Sequence, residues 1–151
     1  MTTLTRGTAR SRLEAIWIKR AHREPMDPVQ TARLVAAEGM EGGIAQRRQV
    51  TIIERETFER LPEAMRNAVD PSARRANLMI SGVRLADTKG QVLKVGACRI
   101  RILGETKPCS RMDEVYPGLM QALIPDWGGG AWGQVLDNGQ ITVGDRVSWV
   151  A

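Results

Sequence analysis

The sequence predicts a mainly β protein with a few short helices. Its second half carries many short runs of β-branched and other apolar residues. In residues 98–102 apolar and charged residues alternate, which places Cys98, Ile100 and Ile102 on one face of a strand. Gly, Pro, Asp and Asn separate the runs, as in turns. Many short strands joined by turns are typical of a closed or nearly closed β-barrel.

Length and composition predict one globular domain. The chain has 151 residues, of which 42% are hydrophobic and 26% charged, and this length can bury a core without disulfide or metal staples. Residues 1–11 are rich in Thr, Ser and Arg, so we expect a flexible N-terminal arm before a domain at 12–151. The N-terminus lacks the apolar stretch of a secretory signal, and no apolar run approaches a membrane span. We therefore expect a cytoplasmic protein without a membrane partner.

In the first half, two strands and two helices are predicted. Leu13 to Ile18 is an apolar run that predicts the first strand, and Gln49 to Ile53 is rich in β-branched residues and predicts another. Residues 54–61 then have a helical pattern. A second short helix opens at Pro62, because proline suits the first turn of a helix.

Residues 27–39 fit two structures. Asp27 and Gly39 can serve as the N-cap and the C-terminal glycine of a helix that begins after Pro28. The alternation of Val29 to Val35 also fits a strand. The local pattern favours the helix, and both structures stay open at this point.

The second half is dominated by strands. A short helix is predicted at 117–124, closed by Pro125, and Asp137-Asn138-Gly139 predicts a hairpin turn between two of the strands. The predicted strands cover residues 77–80, 91–95, 98–102, 134–136, 140–143 and 146–150.

The positive charge is scattered and comes mostly from arginine. The net charge is +5, with 18 arginines and 4 lysines among the 22 basic residues, and the only dense group is Arg6, Arg10 and Arg12. Because the basic residues are spread out, we do not expect nucleic acid as the partner. Arginine suits bidentate capture of single phosphate or carboxylate groups.

The residues available for metal or nucleotide binding are few. Two cysteines eleven positions apart and one distant histidine, His22, do not form a zinc motif. The glycine-rich loop, Trp127-Gly128-Gly129-Gly130-Ala131-Trp132-Gly133, could bring backbone amides close to a phosphate. It matches no dinucleotide or ATP-binding fingerprint, so NAD and ATP are not expected, and the loop also fits a plain connection.

The two cysteines differ in their surroundings. Cys98 shares a strand face with two isoleucines and is expected to be a small buried apolar residue. Cys109 follows Pro108 in a loop and lies between Lys107 and Arg111, whose charges favour the thiolate. A thiolate is both a nucleophile and a soft metal ligand, so Cys109 is the candidate catalytic residue. An incidental loop cysteine is the alternative.

Two arginine pairs precede predicted strands. Arg74 and Arg75, followed by Asn77, bring two guanidinium groups and an amide together just before the strand at 77–80. Such a group can bind an anion through several directional hydrogen bonds, although it also fits a solvated turn. Arg47 and Arg48 form a similar pair before the strand at 49–53.

Five segments in order resemble the MOSC domain family, named after the C-terminal domain of molybdenum-cofactor sulfurases. The resemblance spans residues 12–150 and includes an Arg-x-Asn-Leu-x-x-x-Gly element, a cysteine loop and a closing Val-Leu-x-x-Gly-x-Ile-x-x-Gly-Asp element. The segments are Gln49 to Ile53, Arg74 to Gly82, Val95 to Ile102, Thr106 to Met112 and Gly133 to Asp145.

The resemblance implies a MOSC-type β-barrel that acts on or with the molybdenum cofactor, a pterin with a phosphate and a dithiolene. It favours the strand at 27–39. It implies that the loop cysteine, here Cys109, ligates molybdenum or carries sulfur as a persulfide. It also implies cofactor contacts from the matching positions, which are Arg74, Arg75, Asn77, Thr106 and Lys107, with Arg47 or Arg48 as a replacement for a basic residue of the family pattern.

The chain departs from the family pattern at one place. Many members have Gly-Asp-Arg-His where this chain has Gly42-Gly43-Ile44-Ala45, so the acid, the base and the imidazole are missing. Two hypotheses follow. The protein is a molybdenum-cofactor enzyme that reduces N-oxide or N-hydroxyl groups with a separate electron donor, or a sulfur carrier served by a cysteine desulfurase. Alternatively it is a noncatalytic basic module for an anion, a protein or RNA.

Overall fold

The computed structural model describes residues 10–151. Most of the arm predicted at 1–11 therefore lies outside the described residues. Ser11 belongs to the folded part of the chain, because it is buried and its Oγ donates to the carbonyl of Gly82 at 2.9 Å.

Strands and four short helices form the described chain, which confirms the mainly β fold class. The helices are α1 (Arg55–Glu59), α2 (Glu63–Ala68), α3 (Arg111–Val115) and α4 (Leu119–Ala122). The strands are β1 (Arg12–Ile18), β2 (Asp27–Val29), β3 (Thr31–Val35), β4 (Gly39–Met40), β5 (Val50–Glu54), β6 (Leu78–Ser81), β7 (Val92–Val95), β8 (Cys98–Glu105), β9 (Ala131–Val135), β10 (Gly139–Thr142) and β11 (Val147–Trp149).

Eight strands form one strongly curled sheet in the order β11-β7-β8-β9-β5-β6-β1-β2. The pairing is antiparallel except between β5 and β6. The two ends of this strand order meet beside β1 and β11. There the Leu13 amide donates to the Asp145 carbonyl at 2.8 Å, and the Val147 amide donates to the Ser11 carbonyl at 3.1 Å. The sheet is thereby a nearly closed barrel, and β10, β3 and β4 form a second, three-stranded sheet.

The barrel interior is the main hydrophobic core. Cys98, Ile100 and Ile102 are fully buried in it, while Arg99 and Arg101 on the opposite face are exposed. The alternation predicted for this strand is therefore confirmed, and so is the burial of Cys98. Both cysteines are free thiols, Cys98 buried and Cys109 exposed.

A second core lies between the barrel and the helices. Phe58, Met65, Met112 and Leu119, one from each helix, are buried in the same cluster as Trp17 of β1. The helices are short and depend on this packing, since helices of four to six residues are not stable alone.

The ambiguous segment at 27–39 is extended. β2 pairs with β1, and β3 pairs with β10 and β4. The strand indicated by the family resemblance is correct and the locally favoured helix is not. Ala32 and Leu34 are buried while Thr31 and Arg33 are exposed, so tertiary burial at period two decides the outcome.

The hairpin predicted at Asp137-Asn138-Gly139 is wrong. β9 pairs with β8 and β5, whereas β10 pairs with β3 in the other sheet. The turn residues bind elsewhere: the Asp137 carboxylate accepts from the Arg99 backbone amide at 2.9 Å, and the Asn138 side chain accepts from the Ala36 amide at 2.7 Å. Asp-Asn-Gly therefore joins two sheets instead of closing one hairpin.

Two helical features differ from the sequence expectation. The helix predicted at 117–124 is present but shorter, at Leu119–Ala122. The cysteine loop is defined as residues 106–112, and its last two residues already belong to α3, a helix that was not predicted. In addition, residues 131–133 of the glycine-rich loop belong to β9, because Gly133 pairs with Val50 of β5 and Ile102 of β8.

No helix within residues 10–151 has the length and apolar character needed to span a membrane.

Candidate functional site

Several chain segments gather at one rim of the barrel. Lys19 follows β1, Thr106 follows β8, Ala76 precedes β6 and Gly129 precedes β9. Together with side chains from the 46–51 segment they surround a cleft of about 160 Å³, called the arginine cleft here. Its lining residues are Lys19, Gln46, Arg48, Thr51, Arg74, Arg75, Ala76, Thr106 and Gly129.

The arginine cleft is strongly cationic. Lys19, Arg48, Arg74 and Arg75 line it, and no carboxylate is among its described lining residues. Burial, and then the charge of Arg75, lower the pKa of Lys19. Because these cations repel one another, an anion that enters the cleft would relieve the repulsion.

Arg75 has an unused donor at this cleft. It occupies the left-handed backbone region at φ 62°, which is uncommon for a residue with a side chain. Its Nη1 donates to the Glu24 carbonyl at 2.6 Å, whereas its Nη2 is buried without a hydrogen-bond partner. A buried guanidinium nitrogen without an acceptor is costly, so this atom is a hydrogen-bond donor that the folded chain leaves unsatisfied.

The Arg74 guanidinium, in contrast, is bound by carbonyl groups. Its Nε donates to Gly129 at 2.9 Å, and its Nη2 donates to Thr106 at 2.9 Å and to Lys107 at 3.3 Å. Burial lowers the pKa of Arg74, and the electrostatic influence of the nearby Cys109 side chain opposes this change. Arg74 therefore connects the cysteine loop with the glycine-rich loop.

The Asn77 side chain connects the strands next to the arginine cleft. Its Oδ1 accepts from the Thr51 amide at 3.0 Å and from the Thr51 hydroxyl at 3.2 Å. Its Nδ2 donates to the Trp17 carbonyl at 3.3 Å. The buried side chain thus ties β6 to β5 and β1, and its amide is already used within the protein.

The glycine-rich loop packs against the cysteine loop too closely for side chains. A Cβ on Gly129 would overlap the Thr106 carbonyl, and a Cβ on Gly130, at φ 102°, would overlap the Ile52 carbonyl. The Thr106 hydroxyl donates to the Gly129 carbonyl at 2.7 Å, and the Thr106 amide donates to Gly130 at 2.9 Å. These glycines permit close packing of backbone on backbone.

Cys109 lies on the exposed part of the cysteine loop, immediately before α3. The Met112 amide donates to its carbonyl at 2.9 Å, so the backbone at Cys109 is already turning into the helix. The thiol is exposed and within electrostatic range of Arg74, but Cys109 does not line the arginine cleft.

Of the remaining predicted residues, one lines the arginine cleft and two do not. Arg48 lines the arginine cleft, and its guanidinium carbon lies 5.7 Å from the centre of the Trp132 ring, a cation–π contact. Arg47 is exposed and does not line this cleft. Lys107 is exposed too, and it contributes only its carbonyl, to Arg74.

A larger cleft of about 390 Å³ adjoins the arginine cleft. Lys19 and Gln46 line both clefts, and the Lys19 ammonium donates to the Gln46 side chain at 3.3 Å. The segment Gly42-Gly43-Ile44-Ala45 forms one wall. Its departure from the family pattern therefore lies inside a cleft, where it replaces ionisable side chains with small or apolar ones.

Sequence reasoning missed Lys19, Gln46 and Thr51. Lys19 follows the end of a predicted strand, Gln46 directly precedes Arg47, and Thr51 lies inside the predicted strand at 49–53. The signal that could have found Lys19 is the basic pair Lys19-Arg20 at the end of an apolar strand. Only the barrel topology shows that the end of β1 lies beside Arg75.

The fold and the site together define a class of small β-barrel domain with a cysteine loop and an Arg-x-Asn element at its rim. The family model described as "MOSC domain" matches residues 38–148, well over half of the chain. The chain therefore belongs to the MOSC domain family, which confirms the resemblance seen in its motifs.

Solved structures share the fold at low sequence identity. YuaD from Bacillus subtilis superposes with a TM-score of 0.70 at 18% identity, covering 91% of this chain and 93% of its own. YiiM from Geobacillus stearothermophilus gives a TM-score of 0.72 at 17% identity over 93% and 75% of the two chains. YiiM from Escherichia coli gives 0.66 at 18% over 93% and 70%. No curated protein matches the chain at a significant level.

Proposed function

We propose that this MOSC domain binds the molybdenum cofactor, with the cofactor's phosphate in the arginine cleft and Cys109 as the reactive thiol at its rim. The observation that carries the proposal is the cleft of four cationic side chains in which Arg75 keeps a buried, unpartnered nitrogen. Family membership supports the choice of the cofactor's phosphate as the anion.

The residues present fit the phosphate end of the cofactor. Arg75 has a buried Nη2 without a hydrogen-bond partner, and Lys19 and Arg48 add positive charge to the same cleft. Charge-assisted hydrogen bonds from guanidinium groups to phosphate are among the strongest in proteins. In this proposal Arg75 binds the phosphate, and Lys19 and Arg48 attract and orient it. Asn77 holds together the strands from which these residues extend.

The cofactor, when bound, supplies the redox chemistry of molybdenum, and the protein supplies position and charge. Cys109 then has one of two roles. As a thiolate it would ligate the metal of an enzyme that reduces N-oxide or N-hydroxyl groups with electrons from a separate protein. As a sulfur carrier it holds a persulfide received from a cysteine desulfurase. We place either activity in the cytoplasm.

A noncatalytic anion-binding module is the second candidate. The wall formed by Gly42-Gly43-Ile44-Ala45 favours it, because this segment offers no group for proton transfer. Such a module would use the arginine cleft for a ligand, a protein partner or RNA without any contribution from Cys109.

The test of Cys109 compares the wild type with Cys109→Ala and Cys98→Ala, each purified from a host that makes the cofactor. Stoichiometric molybdenum that is lost only in Cys109→Ala supports the enzyme. Cyanide-releasable sulfur without metal, again lost only in Cys109→Ala, supports the carrier. Cys98→Ala is the matched control, because Cys98 is buried in the barrel.

If the wild type carries neither metal nor releasable sulfur, the proposal for Cys109 is overturned. In that case the module is examined by retention on heparin and by RNA affinity across a salt series. Salt-dependent binding that is unaltered by Cys109→Ala supports the module, and no retention at low salt excludes its RNA form.

A further inference from the structure

We propose that Arg74 is a positioning residue that locks the cysteine loop to the glycine-rich loop and thereby fixes the location of Cys109. The family resemblance gave Arg74 a cofactor-binding role. The contacts of its guanidinium assign it a different one, which does not depend on a bound cofactor and therefore stands apart from the proposed function.

The guanidinium of Arg74 joins backbone from two loops. Its Nε reaches the Gly129 carbonyl of the glycine-rich loop, and its Nη2 reaches the Thr106 and Lys107 carbonyls of the cysteine loop. The planar fork of arginine can hold acceptors on two sides at once, whereas the single ammonium of lysine cannot match this geometry. Arg74 is thus a bridge for which lysine is not an equivalent.

Two of the three carbonyls, those of Thr106 and Lys107, lie close to the candidate thiol along the chain. Lys107 is two residues before Cys109, and the intervening Pro108 is buried against the same loops. A Cβ placed on Gly129 would lie 3.0 Å from Pro108 Cδ and 3.1 Å from Arg74 Nη2, which shows how tightly the parts meet. Movement at the Arg74 bridge would therefore be transmitted to Cys109 within two peptide units.

The bridge also leaves the positive charge of Arg74 available. Its hydrogen-bond partners here are neutral carbonyls, and the guanidinium lies within electrostatic range of the Cys109 side chain. A carboxylate partner would neutralise this charge, whereas carbonyl dipoles hold it in place. Arg74 therefore fixes both the backbone of the cysteine loop and a positive charge beside it.

A spin label on Cys109 tests the proposal, since Cys98 is buried and stays unlabelled in the folded protein. The variants are Arg74→Lys, which keeps the charge, and Arg75→Lys as the matched control. We expect a more mobile label spectrum in Arg74→Lys and a wild-type spectrum in Arg75→Lys. A wild-type spectrum in Arg74→Lys would overturn the proposal.

Amide hydrogen exchange supplies the second measurement. The amides of Thr106 and Gly130 donate within this contact region, and we expect them to exchange about ten-fold faster in Arg74→Lys while the barrel amide of Leu136 is unchanged. In Arg74→Ala, added methylguanidinium should restore their protection and methylammonium should not. Equal acceleration at Leu136, or labelling of Cys98, would show general destabilisation and overturn the positioning role.

Discussion

At the scale of single residues, Arg74 and Arg75 are adjacent in the chain but have different surroundings. The side chain of Arg74 bonds to three backbone carbonyls, whereas Arg75 keeps an unpartnered Nη2 at the arginine cleft. The sequence predicted the pair as one anion-binding group. It could not separate their roles, because the left-handed backbone of Arg75 and the position of Gly129 are set by tertiary contacts.

The first prediction concerns Arg75. Arg75→Met should weaken the binding of inorganic phosphate by about ten-fold or more, because a charge-assisted hydrogen bond contributes about 1.5–3 kcal/mol. Isothermal titration calorimetry measures the affinity. Arg146→Met removes the same charge from an exposed position and should bind as the wild type does. Equal weakening in both variants would show that only net charge matters.

At the scale of elements, the strands and the loops differ in how well the sequence predicts them. The strand at 98–102 was correctly predicted, because burial alternates with the side-chain period of a strand. The Asp137-Asn138-Gly139 hairpin was not, since its polar side chains bind Arg99 and Ala36 of other elements. The pattern of a turn specifies a change of direction, but it does not specify which strand comes next.

The second prediction concerns the contact between the glycine-rich loop and the cysteine loop. Gly129→Ala should lower the free energy of unfolding by about 1–3 kcal/mol, the usual cost of overpacking, because its Cβ would overlap the Thr106 carbonyl. Urea denaturation measures the change. Gly43→Ala is the control, with its nearest contact at 3.3 Å, and should cost clearly less. Equal stability of both variants would contradict the close packing.

At the scale of the whole molecule, the barrel brings together residues that are distant in sequence. Lys19 and Arg75 line one cleft because β1 and β6 are antiparallel neighbours, so the end of one lies beside the start of the other. The five motifs in order were sufficient to predict the family and the barrel. The contribution of Lys19 depends on strand order, which local pattern does not specify.

The third prediction concerns the stability of the whole molecule against pH. Burial raises the pKa of Glu54 from 4.5 to about 6. A carboxyl group with a raised folded pKa favours the protonated native state, so stability should fall as pH rises from about 4.5 to about 6. The loss should be about 2 kcal/mol, since one pKa unit corresponds to about 1.4 kcal/mol.

Glu54→Gln is the variant that isolates this effect. Its amide oxygen can still accept from the Leu85 amide, which donates to Glu54 at 3.2 Å. Urea denaturation at several pH values should show that the stability difference between Glu54→Gln and the wild type grows across this range and then levels off. A difference that is constant with pH would contradict an elevated pKa for Glu54.

The central claim is that the arginine cleft holds the phosphate of the molybdenum cofactor. It is tested most directly by measuring molybdenum and pterin per chain in protein from a cofactor-producing host. We predict stoichiometric pterin in the wild type and in Arg146→Met, accompanied by molybdenum if Cys109 has the enzyme role, and a large loss of pterin in Arg75→Met. A wild type without pterin, purified beside a fully loaded molybdenum enzyme from the same host, would contradict the claim.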